Sequence, residues 1–244
     1  MNKVLLTLVF SLIASTSFAE SIDPPTYKPG DTWLYQNTVE KGATGWNQNR
    51  TEVTISRTSS TSIYYTSKAS GSTQPPHDKI SGSDWSRLRN VNGKETLVNK
   101  PLSFPLFQGK TWEVQYTEQH PNKDHKSEQW ISKYTVVATE PIEVPAGKFN
   151  SIKIESEGTV IVEIEPKASV VQGVQTTSTG TTMISQAQKP IATTFTGRTY
   201  KAFWYVPEIK RWVKSVEEYY NANNERTERY TDELISFKLE EPHK

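Results

Sequence analysis

Apolar and aromatic residues in this chain recur at every second position and almost nowhere at the three-and-four spacing of a helix. In residues 32–39, Trp33, Tyr35 and Val39 fall two or four apart and share one face of an extended segment. In residues 50–58, Val53 and Ile55 alternate with Thr54 and Ser56, and residues 62–68 read as the partner strand. Residues 111–117 put Trp112, Val114 and Tyr116 together, and residues 130–139 do the same for Trp130, Tyr134, Val136 and Ala138. Three further strands are expected at 200–206, 211–220 and 230–239, the last with Glu233, Ile235, Phe237 and Leu239 on one side. Seven Trp, eleven Tyr and eight Phe supply bulk suited to pleated sheets. The expected class is all-β with few helices: one large antiparallel curved sheet or an incomplete β-barrel.

Turn chemistry punctuates these segments. Asn92-Gly93, between residues 87–91 and 94–98, provides the two positive φ angles of a type I′ hairpin. Pro29-Gly30-Asp31 and Val144-Pro145-Ala146-Gly147 read as turns. Residues 69–84 read as an irregular loop by content. Residues 168–199, rich in Thr, Ser and Gln, read as a polar hairpin around Ser178-Thr179-Gly180 or as a loop, with the hairpin favoured because Thr suits strands.

Residues 1–19 constrain where such a chain works. One positive charge, Lys3, precedes an apolar run over residues 4–13, and small residues follow up to Ser17-Phe18-Ala19. This is the pattern of a secretory leader, and its apolar run is too short to span a bilayer. The expectation is a leader at 1–19 and a single β-rich domain at 20–244, with a subdivision near residue 100 as the alternative. The chain has no cysteine, so disulfides, thiolate chemistry and Cys-ligated zinc are excluded, and Ala19-Glu20 occupies the junction where a lipoprotein needs cysteine. The periplasm is the expected location, with secretion as the alternative, and no transmembrane segment is expected. Lys3 is the leader's only charged residue, so the remainder carries equal numbers of basic and acidic groups. That balance argues against nucleic acid and against purely electrostatic binding to anionic lipid.

Three phrases stand out between residues 104 and 214: Phe104-Pro105-Leu106-Phe107-Gln108-Gly109-Lys110-Thr111-Trp112, then Val144-Pro145-Ala146-Gly147-Lys148-Phe149, then Phe203-Trp204-Tyr205-Val206-Pro207-Glu208 leading into Arg211-Trp212-Val213-Lys214. In order and spacing they resemble an uncharacterised family of exported bacterial proteins, a domain of unknown function with the phrases "PL.pGktW", "vPaGtF" and "yWyapevg.vvK". The resemblance covers about residues 101–240. It implies an extended antiparallel sheet and periplasmic residence, and it carries no activity. Gln108 replaces the commoner proline of that pattern, and Lys210 stands where glycine is usual. Physically, Gly109 allows a tight turn before a strand that Trp112 anchors, and Pro207 ends a strand because it cannot donate to a ladder.

Catalytic signals are incomplete. Gly109-Lys110-Thr111 ends like a phosphate-binding loop but has Phe104 where that motif needs glycine. His120, Asp124, His125 and Glu128 crowd a polar stretch read as an exposed hairpin loop rather than a metal site. Glu155, Glu157, Glu163 and Glu165 alternate with aliphatics; on neighbouring strands such acids can reach glycosidase distances, yet the simpler reading is a solvated sheet face. No catalytic residue, cofactor or metal is therefore assigned. The binding candidates are Trp204, Tyr205 and Trp212, flanked by Lys210, Arg211 and Lys214, as an amphipathic groove for an acyl chain with an anionic head or for a stacked sugar. The expected partners are a lipid, an amphipathic small molecule or an envelope glycan. The alternatives are an envelope protein docked on a sheet edge and, behind it, a glycan-directed hydrolase.

Overall fold

A computed structural model describes residues 21–42, 45–165, 169–178, 180–188 and 193–241; the leader, residues 1–19, lies outside them, as do Thr179 and residues 166–168 and 189–192 of the polar stretch. Fourteen strands are present and no α-helix among the described residues. They are β1 (Thr32–Lys41), β2 (Trp46–Thr58), β3 (Ser62–Ala69), β4 (His77–Gly82), β5 (Arg87–Val91), β6 (Lys94–Asn99) and β7 (Thr111–Gln119), followed by β8 (His125–Val144), β9 (Gly147–Ile164), β10 (Ser169–Thr177), β11 (Gly180–Gln188), β12 (Thr194–Val206), β13 (Arg211–Tyr220) and β14 (Arg226–Lys238).

Ten of them form one antiparallel sheet in the order β4-β3-β2-β1-β14-β13-β12-β9-β8-β7, curved but not closed into a barrel. Two meanders meet where β1 pairs with β14 along ten residues, from Thr32↔Lys238 to Lys41↔Glu228. The favoured hairpin reading of the polar stretch holds where β10 and β11 pair, from Ser169↔Gln188 to Thr177↔Gly180, whereas residues 194–199 of that stretch begin β12 and pair with β9. The Asn92-Gly93 turn joins β5 to β6 with φ of +53° and +81°, as a type I′ turn requires.

The core lies on one face of the sheet, here called inner. Trp33, Tyr134, Ile154, Val213 and Leu234 are buried there. β4 and β7 are at opposite edges, so residues 83–110 must travel from one to the other, and they cross the inner face. Trp85, Leu102 and Leu106 from this crossing segment are buried in the same core. Trp112 stacks on Tyr134 with centroids 5.3 Å apart, anchoring β7 as its spacing implies.

Three sequence expectations need correction. Residues 77–82, expected within an irregular loop, form β4; His77, Asp78 and Lys79 are exposed, so no apolar alternation marks this edge strand. Ala138 leaves the face shared by Tyr134 and Val136, because the register shifts between Val136 and Ala138; one extra residue reverses every later side chain. Glu233, Ile235, Phe237 and Leu239 do not share one side, because a bulge leaves Ile235 as an extra residue: Glu233 is on the outer face beside buried Leu234, whereas Phe237 is brought opposite Trp33 and Leu239 packs against the core.

Both sheet edges are guarded. The β5–β6 hairpin covers β7: Asn92 donates to the Thr117 carbonyl (2.8 Å) and accepts from the Gln119 N–H (2.8 Å), and Arg89 pairs with Glu118 at 2.6 Å. β4 carries charge along an exposed edge. Both are devices that discourage strand addition.

Candidate functional site

The turn between β12 and β13 is held unusually firmly. Pro207 ends β12 and opens a 3-10 turn over Pro207–Ile209, and Lys210 follows with φ +60°. A left-handed backbone there is a conformation that ordinarily favours glycine. Three aromatic side chains from the opposite end of the sequence then bind the turn's carbonyls. The Trp33 indole donates to Ile209 (2.9 Å), the Tyr27 hydroxyl to Lys210 (2.9 Å) and the Tyr35 hydroxyl to Trp212 (2.6 Å). The Trp85 indole in turn donates to the Tyr27 hydroxyl at 2.8 Å. Backbone carbonyls that a strand ladder does not use are thus satisfied by ring donors.

Arg211 emerges from this turn into the ring cluster. Its guanidinium carbon lies 3.7 Å from the Trp85 ring centroid, 4.6 Å from Trp212, 5.3 Å from Tyr35 and 5.5 Å from Trp33. The residue is only 8% exposed, and its Nε and Nη1 have no hydrogen-bond partner. Ring faces offset part of the cost of burying this charge, about 2 kcal/mol when desolvated, whereas an unpaired buried ion costs several kcal/mol. No carboxylate among the described residues forms an ion pair with it. The nearest compensation is Asp232, which feels Arg211 electrostatically but accepts its hydrogen bonds from Asn37 (2.7 Å) and Ser215 (3.3 Å). Burial pushes the Asp232 carboxyl above the usual carboxylate range. Burial likewise raises the Tyr35 phenol, so that ring stays neutral beside Arg211.

Arg211 lines an open cleft of about 530 Å3 on the inner face. Tyr65, Trp85, Trp212, Tyr219 and Tyr230 give it rings. Arg87, Ser81 and Asn99 face the same space, with Glu228, Asp232 and the Lys201–Glu217 ion pair, 3.3 Å. The Glu228 carboxylate accepts from the Tyr230 hydroxyl and pushes that phenol up to about 12. No aliphatic side chain lines the cleft. A second cleft of about 570 Å3 has the opposite character, with Ile22, Phe149, Ile152, Val206 and Ile209 in its wall.

Of the six binding candidates, Arg211 and Trp212 come together in the first cleft. The other four sit elsewhere. Lys210 reaches Asp31 at 2.9 Å, and Lys214 pairs with Glu233 at 2.7 Å. Trp204 faces Lys214 across the strands, and its indole donates to Glu140 at 2.7 Å. Tyr205 is fully buried against Phe104, with ring centroids 5.7 Å apart. A bulge separates Trp212 from Trp204 and Lys214, because Trp204 pairs with Lys214 and Tyr205 with Trp212, leaving Val213 as the extra residue. Sequence reasoning missed Trp85, Tyr65 and Asp232. A tryptophan inside the polar run Ser83-Asp84-Trp85-Ser86 was the available signal for the first.

The weaker candidates are placed as follows. Glu155 pairs with Lys153 (2.8 Å) and accepts from Tyr200 (2.8 Å); the Lys153 hydrogen bond holds its carboxyl below the usual range. Glu163 is held down in the same way by Lys126, 2.6 Å away. Glu157 faces Arg198, and Glu165 lies 3.5 Å from His120. A general acid needs its pKa raised, which neither Glu155 nor Glu163 has. His125 and Glu128 bond to each other at 2.5 Å, and no group of three or more His, Asp or Glu converges as a metal site among the described residues. Gly109-Lys110-Thr111 leads into β7, not into a helix.

No helix among the described residues is long and apolar enough to cross a membrane. No family model matches the chain, and no curated protein matches it. Two solved structures are similar to it. One is a candidate lipoprotein from Parabacteroides distasonis, 17% identical over 90% of this chain and all of that one, with a TM-score of 0.45. The other is a candidate exported protein with YmcC-like fold from Bacteroides fragilis, 14% identical over 89% of this chain and 99% of that one, with a TM-score of 0.37.

Proposed function

We propose that residues 1–19 export this chain, and that residues 20–244 act in the periplasm as one β-rich, non-catalytic binding module for an amphipathic envelope molecule. The observation that carries this reading is the inner-face cleft of about 530 Å3. Its volume falls within the usual range for small-molecule sites, about 300–1,000 Å3. Its wall combines rings with hydrogen-bonding groups, which suits a molecule apolar on one side and polar on the other. The ligand contacts of the proposal are Arg211 and Trp212, with Trp85, Tyr65, Tyr219 and Tyr230 around them. A role as an assembly partner docked along a sheet edge is less supported, because the β5–β6 hairpin covers one edge and charge lines the other. Native mass spectrometry of protein purified gently from its own envelope tests the reading. The expected result is a fraction carrying extra mass that is lost on denaturation. A ligand-free mass, together with unchanged tryptophan fluorescence across envelope lipid and glycan extracts, would remove it.

A further inference from the structure

We infer that the cleft takes an acidic saccharide, a sugar bearing a carboxylate, and that Arg211 is the group that receives its negative charge. The inference rests on the binding reading above and narrows it to a ligand class. Two independent observations carry it. The first is the unpaired cation. Arg211 is more than nine-tenths buried, lines the cleft, and forms no ion pair with a carboxylate among the described residues. Neighbouring Lys210, by contrast, is matched to Asp31 at 2.9 Å. Trp85 and Trp212 surround the guanidinium, which fixes its position and keeps water from screening it. An oxyanion arriving there neutralises a charge that the fold has already desolvated.

The second observation is the composition of the wall. An acyl chain requires aliphatic contacts, and this cleft has none; the aliphatic wall belongs to the other cleft. What this one offers is buried Trp85 and four half-buried rings, Tyr65, Trp212, Tyr219 and Tyr230, together with donors and acceptors from Ser81, Asn99, Lys201 and Glu217. A pyranose matches that pattern, with C–H faces for rings and hydroxyls around its edge. Acidic groups in the same wall, Glu228 and Asp232, repel an anion placed at random. Of the cations in the wall, Lys201 is paired with Glu217 and Arg87 is exposed to solvent, which leaves Arg211 as the desolvated one; the ligand's charge is placed there, with its hydroxyls toward the carboxylates.

Calorimetry and tryptophan fluorescence on the chain from residue 20 test this with matched probes. These are cellobiouronate and digalacturonate, their neutral counterparts cellobiose and galactobiose, sodium laurate, and inorganic phosphate. The expected result is that at least one uronate binds about tenfold or more tightly than its neutral counterpart, the usual size of one charge-assisted contact. Arg211→Met should reduce that ratio to about one, while Arg211→Lys retains part of it. The acid-to-neutral comparison on the unmutated protein stands even if a variant folds poorly. Equal binding of acidic and neutral sugars overturns the role of Arg211 and leaves the binding reading intact. Laurate or phosphate binding more tightly than either uronate overturns the saccharide assignment alone. No response to any probe overturns the inference together with the reading beneath it.

Discussion

Lys210 and Arg211 are adjacent cations at the start of β13, and their surroundings are opposite. The Lys210 region is a closed electrostatic unit. Asp31 is fully buried and accepts from the Lys28 N–H, the Lys210 ammonium and the Glu240 N–H, each at 2.9 Å. It thereby ties the entry to β1, the β12–β13 turn and the end of the chain into one corner. The Arg211 region is open: rings instead of carboxylates, two nitrogens without partners, and a cleft alongside. Buried polar groups are overwhelmingly satisfied, and the exceptions call for an explanation. The fold can pair a cation in this turn and does so one residue away, at Lys210. The proposed anion-receiving role accounts for the unpaired state of Arg211.

The largest expected effect falls on the closed side. Asp31→Ala removes three acceptor contacts and leaves Lys210 partly buried without a partner. A loss of about 3–5 kcal/mol in urea-denaturation stability is expected, the usual consequence of breaking a buried pair. A loss below about 1 kcal/mol would erase the contrast from that side.

An intermediate effect is expected at Asp232. Its carboxyl titrates higher in the folded protein than in the unfolded chain. Ionisation therefore opposes folding, with the penalty absent below the unfolded pKa of about 3.9 and growing as pH rises through the folded value. Asp232→Asn should be more stable than the parent at pH 7, and the advantage should shrink towards pH 3. It should also strengthen binding of an acidic sugar by a few-fold, because a competing negative charge near Arg211 is gone. Weaker binding in a well-folded variant would show that Asp232 supports the ligand directly.

The smallest effect is expected outside both regions. Lys214→Ala breaks the pair with Glu233 on the outer face. A partly exposed ion pair of this kind contributes about 0–1 kcal/mol, and sugar affinity should not change. A marked loss of affinity would extend the site to the outer face and restore Lys214 as a ligand contact.

Much of the architecture is legible from alternation, because one face of each strand meets the core and the other meets water. Trp33 and Tyr35 lie on the buried side of β1, and Asn92-Gly93 turns as its φ preference demands. The failures have local causes. β4 has no apolar alternation to read, since it is a charged edge strand. The displacement of Ala138 comes from a bulge that no pattern marks. The site was half legible: Arg211 and Trp212 stand out in a ring-rich strand, but their partners do not. Trp85 arrives on a segment crossing the inner face, and Asp232 is brought opposite Asn37 by the β1–β14 pairing. Both depend on long-range topology. Lys210 and Arg211 are adjacent cations in the sequence, and the position of Asp31, 179 residues from Lys210, decides which of them is paired.

The most direct test is the ligand-free stability of Arg211→Met, measured by urea denaturation beside the parent. Methionine fills similar volume among the rings without burying a charge. Its lost cation–π contacts, about 2 kcal/mol, oppose the release of an unpaired buried cation, several kcal/mol. Stability within about 1 kcal/mol of the parent, or above it, is expected. A loss of about 3 kcal/mol or more, like that expected for Asp31→Ala, would mark Arg211 as a structural cation and contradict its assignment as the anion-receiving group.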